Sequence, residues 1–219
     1  ISKIAIAHIH GGETTEGAMD ESFRHSITKM SHFHFVAAQE FKKRVMQLGE
    51  NPKNIWVTGA LGIQNIHELK PLKKENLEDL LGIKFTNPLY LLTYHPVTLE
   101  NNNNLELKNL LDVLGTLEGT LIITGTNADP GRQDIQVLYD KFLKKEHSNL
   151  KKHFFTNLGF KKYLSLMSIA DVVIGNSSSG IIEAPAIGVP TLDIGSRQKG
   201  RPRAPSVIHT DHNIENIQK

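Results

Sequence analysis

The feature that most limits the folds open to this chain is the stretch Val173-Ile174-Gly175-Asn176-Ser177-Ser178-Ser179-Gly180-Ile181-Ile182-Glu183, continued by Ala184-Pro185-Ala186-Ile187-Gly188-Val189-Pro190. An apolar strand over residues 171–174 runs into a turn of small residues and then into a short helix. Backbone N–H groups and three serine hydroxyls therefore converge at a helix N-terminus, where the dipole favours an anion. Glu183 follows Ser179 by one helical turn, within reach of the hydroxyls of a sugar attached to a bound phosphate. A nucleotide is the simplest ligand with both parts. The basic segment Gly195-Ser196-Arg197-Gln198-Lys199-Gly200-Arg201 follows downstream. The competing reading is an ordinary strand-to-helix turn with serine caps.

Strand and helix patterns alternate along the whole chain, which predicts an α/β architecture with parallel sheets covered on both faces. Helices are expected over residues 20–30 (buried face Phe23, Ile27 and Met30), 39–48, 72–81 (stopped by Gly82), 104–117, 134–144 and 161–170. Strands are expected at the N-terminus and over residues 33–37, 55–58, 89–94, 121–124 and 153–155. The charged, Pro-interrupted segment Lys70-Pro71-Leu72-Lys73-Lys74-Glu75-Asn76 separates two units, 1–82 and 83–219. The first residues read as a strand without a polar lead-in. Residues 211–219 read as a capped amphipathic helix, with Ile214 and Ile217 on one face. The chain therefore reads as an excerpt of a longer protein, cut at both ends, with the final helix truncated.

Composition narrows the partners. Lys and Arg number 25 against 23 Asp and Glu, a net charge of +2, so no global field points to nucleic acid or a membrane surface and any basic site is local. Apolar runs stop well short of the roughly 20 residues of a membrane helix. The absence of cysteine excludes disulfides and thiolate metal sites and suits a reducing cytoplasm. His8, His10, His25, His32 and His34 are close in sequence, but their spacing mixes strand and helix and matches no standard ligand pattern, so no metal is expected.

Other candidates lie on loops and helix faces. The glycines of His10-Gly11-Gly12-Glu13 allow close backbone approach to a ligand. Asp20 and Arg24, four apart on one helical face, read either as a solvated ion pair or as a pair turned into a site. His95 ends a buried strand, where loops after parallel strands build ligand sites; a strand-capping role is the alternative. Asn127-Ala128-Asp129 follows another strand end and reads either as a cleft-facing contact or as an Asx turn.

Taken in order, His8-Ile9-His10-Gly11-Gly12-Glu13, Asp20-Glu21-Ser22-Phe23-Arg24-His25, His95-Pro96-Val97-Thr98, Asn176 to Glu183 and Gly195 to Arg201 resemble the hydrolysing UDP-N-acetylglucosamine 2-epimerases of sialic-acid biosynthesis. The resemblance covers essentially the whole chain. It implies two Rossmann-like domains of glycosyltransferase-B type, the N-terminal one incomplete here, with the site between them. It also implies a cytoplasmic homo-oligomer that acts on a UDP-sugar without cofactor or metal, by eliminating UDP across C1 and C2 and adding water to the resulting glycal. By the same resemblance, Ser177, Ser178 and Gly180 meet the diphosphate, Glu183 the ribose hydroxyls, and Arg197 the phosphate or nearby hydroxyls. His95 is implied to be needed for activity, and a cationic imidazole beside a departing diphosphate stabilises developing charge. Asp20 is implied as an acid or base with Arg24 orienting it, and Glu13, Asn127 and Asp129 as sugar contacts. His25 and Glu21 read as surface residues.

His10 stands where relatives carry Glu in a His-x-Glu-Gly pattern, and a histidine is a residue type that can do related proton-transfer work. The early Gly-Thr-Arg-type phosphate turn and a catalytic Asp of the family have no counterpart and are expected before residue 1. Of the two UDP-sugars used by such relatives, the expectation favours UDP-N-acetylglucosamine over the 2,4-diacetamido-6-deoxy sugar. A glycosyltransferase, or a nucleotide-binding module without turnover, are the remaining readings.

Overall fold

The computed structural model describes residues 3–15, 20–97, 103–126, 131–146 and 148–219. Strands and helices alternate, and the strand pairings among the described residues are parallel, as the patterning predicts. Strands β1 (Ala7–Ile9), β2 (Phe33–Val36) and β3 (Ile55–Val57) form a three-stranded sheet in that order, joined through helices α1 (Asp20–Met30) and α2 (Gln39–Gln47). Helix α3 (Leu61–Glu68) and helix α4 (Lys74–Leu81) lead out of it. Gly82 ends α4 in the left-handed region at φ 67°, the stop its position predicts.

The second sheet starts at β4 (Leu89–Thr93) and continues through α5 (Asn103–Leu114), β5 (Gly119–Thr124), α6 (Arg132–Lys144) and β6 (Leu150–Phe155). Helix α7 (Gly159–Ile169) then brings the chain back to β7 (Val172–Gly175), followed by a 3₁₀ turn (Ser178–Gly180), α8 (Glu183–Ile187), β8 (Thr191–Ile194), β9 (Val207–Thr210) and α9 (Ile214–Gln218). The strand order is β6-β5-β4-β7-β8-β9. Succession thus runs one way from β4 and the other way from β7, and the crevice between these two strands is where doubly wound sheets open for ligands. One face packs Leu92, Leu121 and Ile123 with Leu110 of α5, Tyr139 of α6 and Ile217 of α9, and the other packs Leu91 and Ile122 with Leu77 of α4 and Leu164 and Met167 of α7.

Three expectations need correction. Phe23, Ile27 and Met30 stand 59%, 42% and 61% exposed, and the buried α1 side chain is Thr28; an apolar stripe marks a helix face without fixing what covers it. The serine turn and Glu183 do not share one helix, because the 3₁₀ turn ends at Gly180 and α8 begins at Glu183 itself. Helix α4 contributes Leu77 to the core of the larger sheet and packs on α7, and Leu72 N–H donates to Ser165 Oγ at 2.9 Å. Among the N-terminal residues described, only Ala7–Ile9 form strand. Sequence patterning did not signal α3, β8 or β9, and β8 carries the buried Asp193 inside its apolar run.

Candidate functional site

The loops after β4 and β7 meet at the switch point, where Asn176 ties them together. Its Oδ1 accepts from His95 N–H at 2.7 Å and its Nδ2 donates to His95 C=O at 2.8 Å. Asn176 is 1% exposed, so both ends of its amide find partners where water is excluded. His95 Nδ1 lies 3.2 Å from Thr126 Oγ1. From the basic loop, Gln198 Nε2 and an Arg197 guanidinium nitrogen donate to Asn176 C=O at 2.7 and 3.3 Å. His95, Asn176 and Arg197, far apart in sequence, are thus one assembly. Gly175 makes it possible: at φ 130° its Cα passes so close to Thr93 C=O that a Cβ would stand 2.0 Å from the oxygen.

Ser177 caps the 3₁₀ turn, and Ser178 and Ser179 are half-buried within it. Gly180 is buried against β8, where a Cβ would meet Thr191 Cγ2 at 2.9 Å, so the close approach it permits is to the protein's own strand. Tyr163, which no sequence signal singled out, lies 2.6 Å by its hydroxyl from Ser179 Oγ and 3.3 Å from Thr93 Oγ1. With His95, Thr126, Thr156 and Phe160 it walls a cavity of about 400 Å³ at the C-terminal ends of β4, β5 and β6.

Glu183 points toward α3, its Oε1 so close to Gly62 that a Cβ there would stand 2.8 Å away. Burial raises its pKa, a shift partly offset by its own backbone N–H and the charges of His10 and Arg201. Its Oε2 is buried with no hydrogen-bond partner among the described residues.

The facing wall comes from the loop after β1. His10 occupies the left-handed region at φ 67°, a conformation that costs a non-glycine residue about 1–2 kcal/mol and that here aims the ring inward. Its Nδ1 lies 3.1 Å from Glu13 Oε1, while Arg201 pairs with Glu13 Oε2 and donates through Nε to Thr14 C=O at 3.0 Å. Burial acts against the charge of Glu13, but the His10 bond and the charges of Arg201 and Arg24 outweigh it and hold the carboxyl below its ordinary range. Arg203 bonds the buried Asp193, which His209 also approaches at 3.0 Å, anchoring the loop that carries Arg197 and Arg201.

Arg24 does not pair with Asp20. It donates to Glu21 Oε2 at 2.9 Å, Glu13 C=O at 3.1 Å and Thr15 Oγ1 at 3.0 Å, because residues 13–15 fold back over the start of α1 on the side of Glu21. Glu21, read from sequence as a surface residue, also accepts from Thr15 N–H at 2.8 Å and so tethers this loop. His25 Nε2 lies 3.4 Å from Glu21 Oε1. Gly12 approaches Phe41 C=O and Gly11 the His8 ring, so neither leaves space for a ligand above it. His8 contacts Thr28, His32 accepts from Ile6 N–H, and His34 faces Glu50. Asn127 and Asp129 lie outside the described residues. A second cavity, about 170 Å³, is walled by Ala38, Phe41, Ala60, Ile182 and Pro202 with Glu13 and Arg201 at its edge. No helix of the described residues is long and apolar enough to cross a membrane.

The profile of the family described as UDP-N-acetylglucosamine 2-epimerase matches residues 1–219. A Campylobacter jejuni protein named GDP/UDP-N,N'-diacetylbacillosamine 2-epimerase (hydrolyzing) is 46% identical over 212 residues, which are 96% of this chain and 55% of that protein. An Escherichia coli polysialic acid biosynthesis protein P7 is 39% identical over 94% of this chain and 52% of its own. The chain spans about half the length of these curated relatives. The crystal structure of a Neisseria meningitidis UDP-GlcNAc 2-epimerase bound to UDP-GlcNAc superposes with a TM-score of 0.74 at 19% identity, over 99% of this chain and 60% of that one. That likeness shows the fold, the glycosyltransferase-B type of two Rossmann-like units that the sequence resemblance implies.

Proposed function

The chain belongs to the UDP-N-acetylglucosamine 2-epimerase family, and on that premise we propose that the protein it represents hydrolyses a UDP-linked 2-acetamido sugar with inversion at C2. The observation that carries the reading is the meeting, at one switch point, of a serine turn with a buried carboxylate lacking a partner on one side and the His10–Glu13–Arg201 group on the other. In this reading the turn formed by Ser177, Ser178 and Gly180 binds the diphosphate and Arg197 adds charge. Glu183 accepts from the ribose hydroxyls, and the 400 Å³ cavity takes the base against Phe160. A base, His10 or Asp20, removes the proton from C2 as the C1–O bond breaks and UDP departs beside His95. Water then adds across the C1–C2 double bond of the glycal, hydroxyl to C1 and proton to C2 from the opposite face, so sugar nucleotide plus water becomes 2-epimer plus UDP. Glu13 contacts the sugar, Arg24 holds the loop of Glu13, and Asn127 and Asp129 remain proposed sugar contacts.

The substrate reading turns on C4 and C6. The 46% identity to the diacetylbacillosamine enzyme favours the 2,4-diacetamido-6-deoxy sugar, against the expectation drawn from sequence alone. The 170 Å³ cavity supports it, since Ala38, Ala60 and Ile182 suit a C6 methyl better than a hydroxyl that would need a polar partner. We further propose that α3 and α4 move with the second unit, because their side chains pack into its core.

A coupled assay on the full-length enzyme tests the reaction. Release of UDP together with free 2-epimerised sugar is the expected result. Epimerised UDP-sugar without hydrolysis would point to the non-hydrolysing branch, transfer to an acceptor to a glycosyltransferase, and UDP binding without turnover to a nucleotide-binding module. Parallel kcat/KM values for the two UDP-sugars test the substrate, and a higher value for UDP-N-acetylglucosamine would overturn the C6 argument.

A further inference from the structure

Tyr163 belongs to none of the sequence motifs, yet it joins the cavity to the serine turn. Its hydroxyl lies 2.6 Å from Ser179 Oγ and 3.3 Å from Thr93 Oγ1, and burial raises its pKa, so it holds one proton to donate. The direction of that donation follows from the bonds around it. Ser179 Oγ donates to Ser177 Oγ at 3.2 Å, which commits the Ser179 proton and leaves Ser179 an acceptor toward Tyr163. On the other side, Thr124 Oγ1 donates to Leu92 C=O at 3.3 Å, so the Thr93–Thr124 contact of 2.7 Å uses the Thr93 proton. Ser177 accepts twice, from Ser179 Oγ and from Ser179 N–H at 3.4 Å, and its own proton remains to be donated.

We propose that Tyr163 is a positioning residue: its hydroxyl fixes the direction of a Tyr163–Ser179–Ser177 chain so that Ser177 presents a proton donor to the diphosphate. The inference rests on the functional reading above, in which the serine turn binds the diphosphate. Without the Tyr163 proton, the Ser179 hydroxyl is free to rotate and Ser177 keeps only the long contact of 3.4 Å from Ser179 N–H to fix its acceptor role. Donor orientation matters here because charge-assisted hydrogen bonds to phosphate are the stronger class. Tyr163→Phe keeps the ring, which packs against the core beside Leu164 and Met167, and removes only the hydroxyl.

Calorimetry on the full-length enzyme with UDP and with uridine separates the possibilities. For Tyr163→Phe, UDP affinity is expected to fall about five- to tenfold, the loss of one hydrogen bond of ordinary strength, while uridine affinity stays at the wild-type value. In a Ser179→Ala background, Tyr163→Phe is expected to cause no further loss, since its partner in the chain is already gone. Wild-type UDP affinity in Tyr163→Phe would overturn the proposal. So would equal losses for UDP and uridine, which mark a packing role, or additive losses in the double variant. If the wild-type enzyme binds uridine and UDP equally, the diphosphate reading of the turn fails and this inference with it. Failure of the wild type to bind either ligand would overturn the functional reading itself.

Discussion

In the six-stranded sheet Leu91, Leu92, Ile122 and Ile123 are completely buried, whereas in the three-stranded sheet Phe33 and Trp56 stand 40% and 43% exposed and the apolar stripe of α1 is open. The difference lies in what covers each sheet. Helices α4 to α7 and α9 close both faces of the larger sheet, and the smaller one has a modest cluster of Val36, Phe41, Val45 and Ile55 on one side. His95 and the serine turn therefore stand on a scaffold held by packing. His10 and Glu13 stand on a loop held chiefly by polar contacts, with Arg24 on its own side and Arg201 from the other. The two halves of the candidate site thus differ in what would loosen them: cavities in one case, lost ion pairs in the other.

The largest effect is expected where packing differs most. Leu91→Ala should lower the unfolding free energy of the 219-residue chain by about 2–5 kcal/mol, the range for a buried leucine, whereas Phe23→Ala on the open face should cost less than about 0.5 kcal/mol. Urea denaturation of both variants checks this, and equal costs would mean that the α1 face is covered in solution. His95→Ala in the full-length enzyme should reduce kcat by about 10²–10³-fold, as removal of one charge-stabilising group does, and leave UDP affinity within a few-fold. Glu183→Ala should do the reverse, weakening UDP by about tenfold with kcat retained, since a ribose contact is made equally in ground and transition states. Steady-state kinetics and calorimetry on the pair would break these role assignments if the two patterns were exchanged.

The smallest effect concerns the smaller sheet alone. Burial, with the neighbouring charges of His34, Arg24 and His10, lowers the pKa of His8 in the folded chain. The unfolded chain then binds the proton more readily, so stability is intact above about pH 6.5, the unperturbed histidine value, and declines as pH falls from there toward the folded pKa. Denaturation midpoints between pH 8 and 5 should show this slope, and His8→Gln should flatten it. An unchanged slope in the variant would assign the acid limb to other groups.

How much could be read in advance differs between the two halves as well. The parallel α/β class and the elements of the larger unit other than β8 and β9 follow from apolar runs that alternate with helical spacing and are bounded by Gly or Pro, as at Gly82 and Pro88. These are local properties, set by backbone sterics and by which residues can leave water. The serine turn, Glu183, His95 and the basic loop were legible for a related reason: loops after parallel strands carry polar side chains that no core explains. The chain itself thus determined most of its elements and the position of its serine turn. Tertiary structure alone decided that Asn176 would bridge His95 and the turn, that Tyr163 would reach Ser179, and that Arg201 would cross to Glu13 instead of facing solvent. Such pairings depend on strand order, which brings β4 beside β7 by pairing Leu91 with Val173, and on no spacing a sequence displays. The exposed stripe of α1 makes the same point from the other side: amphipathic spacing specifies that a face exists, and only the packing of the rest of the molecule determines whether anything covers it.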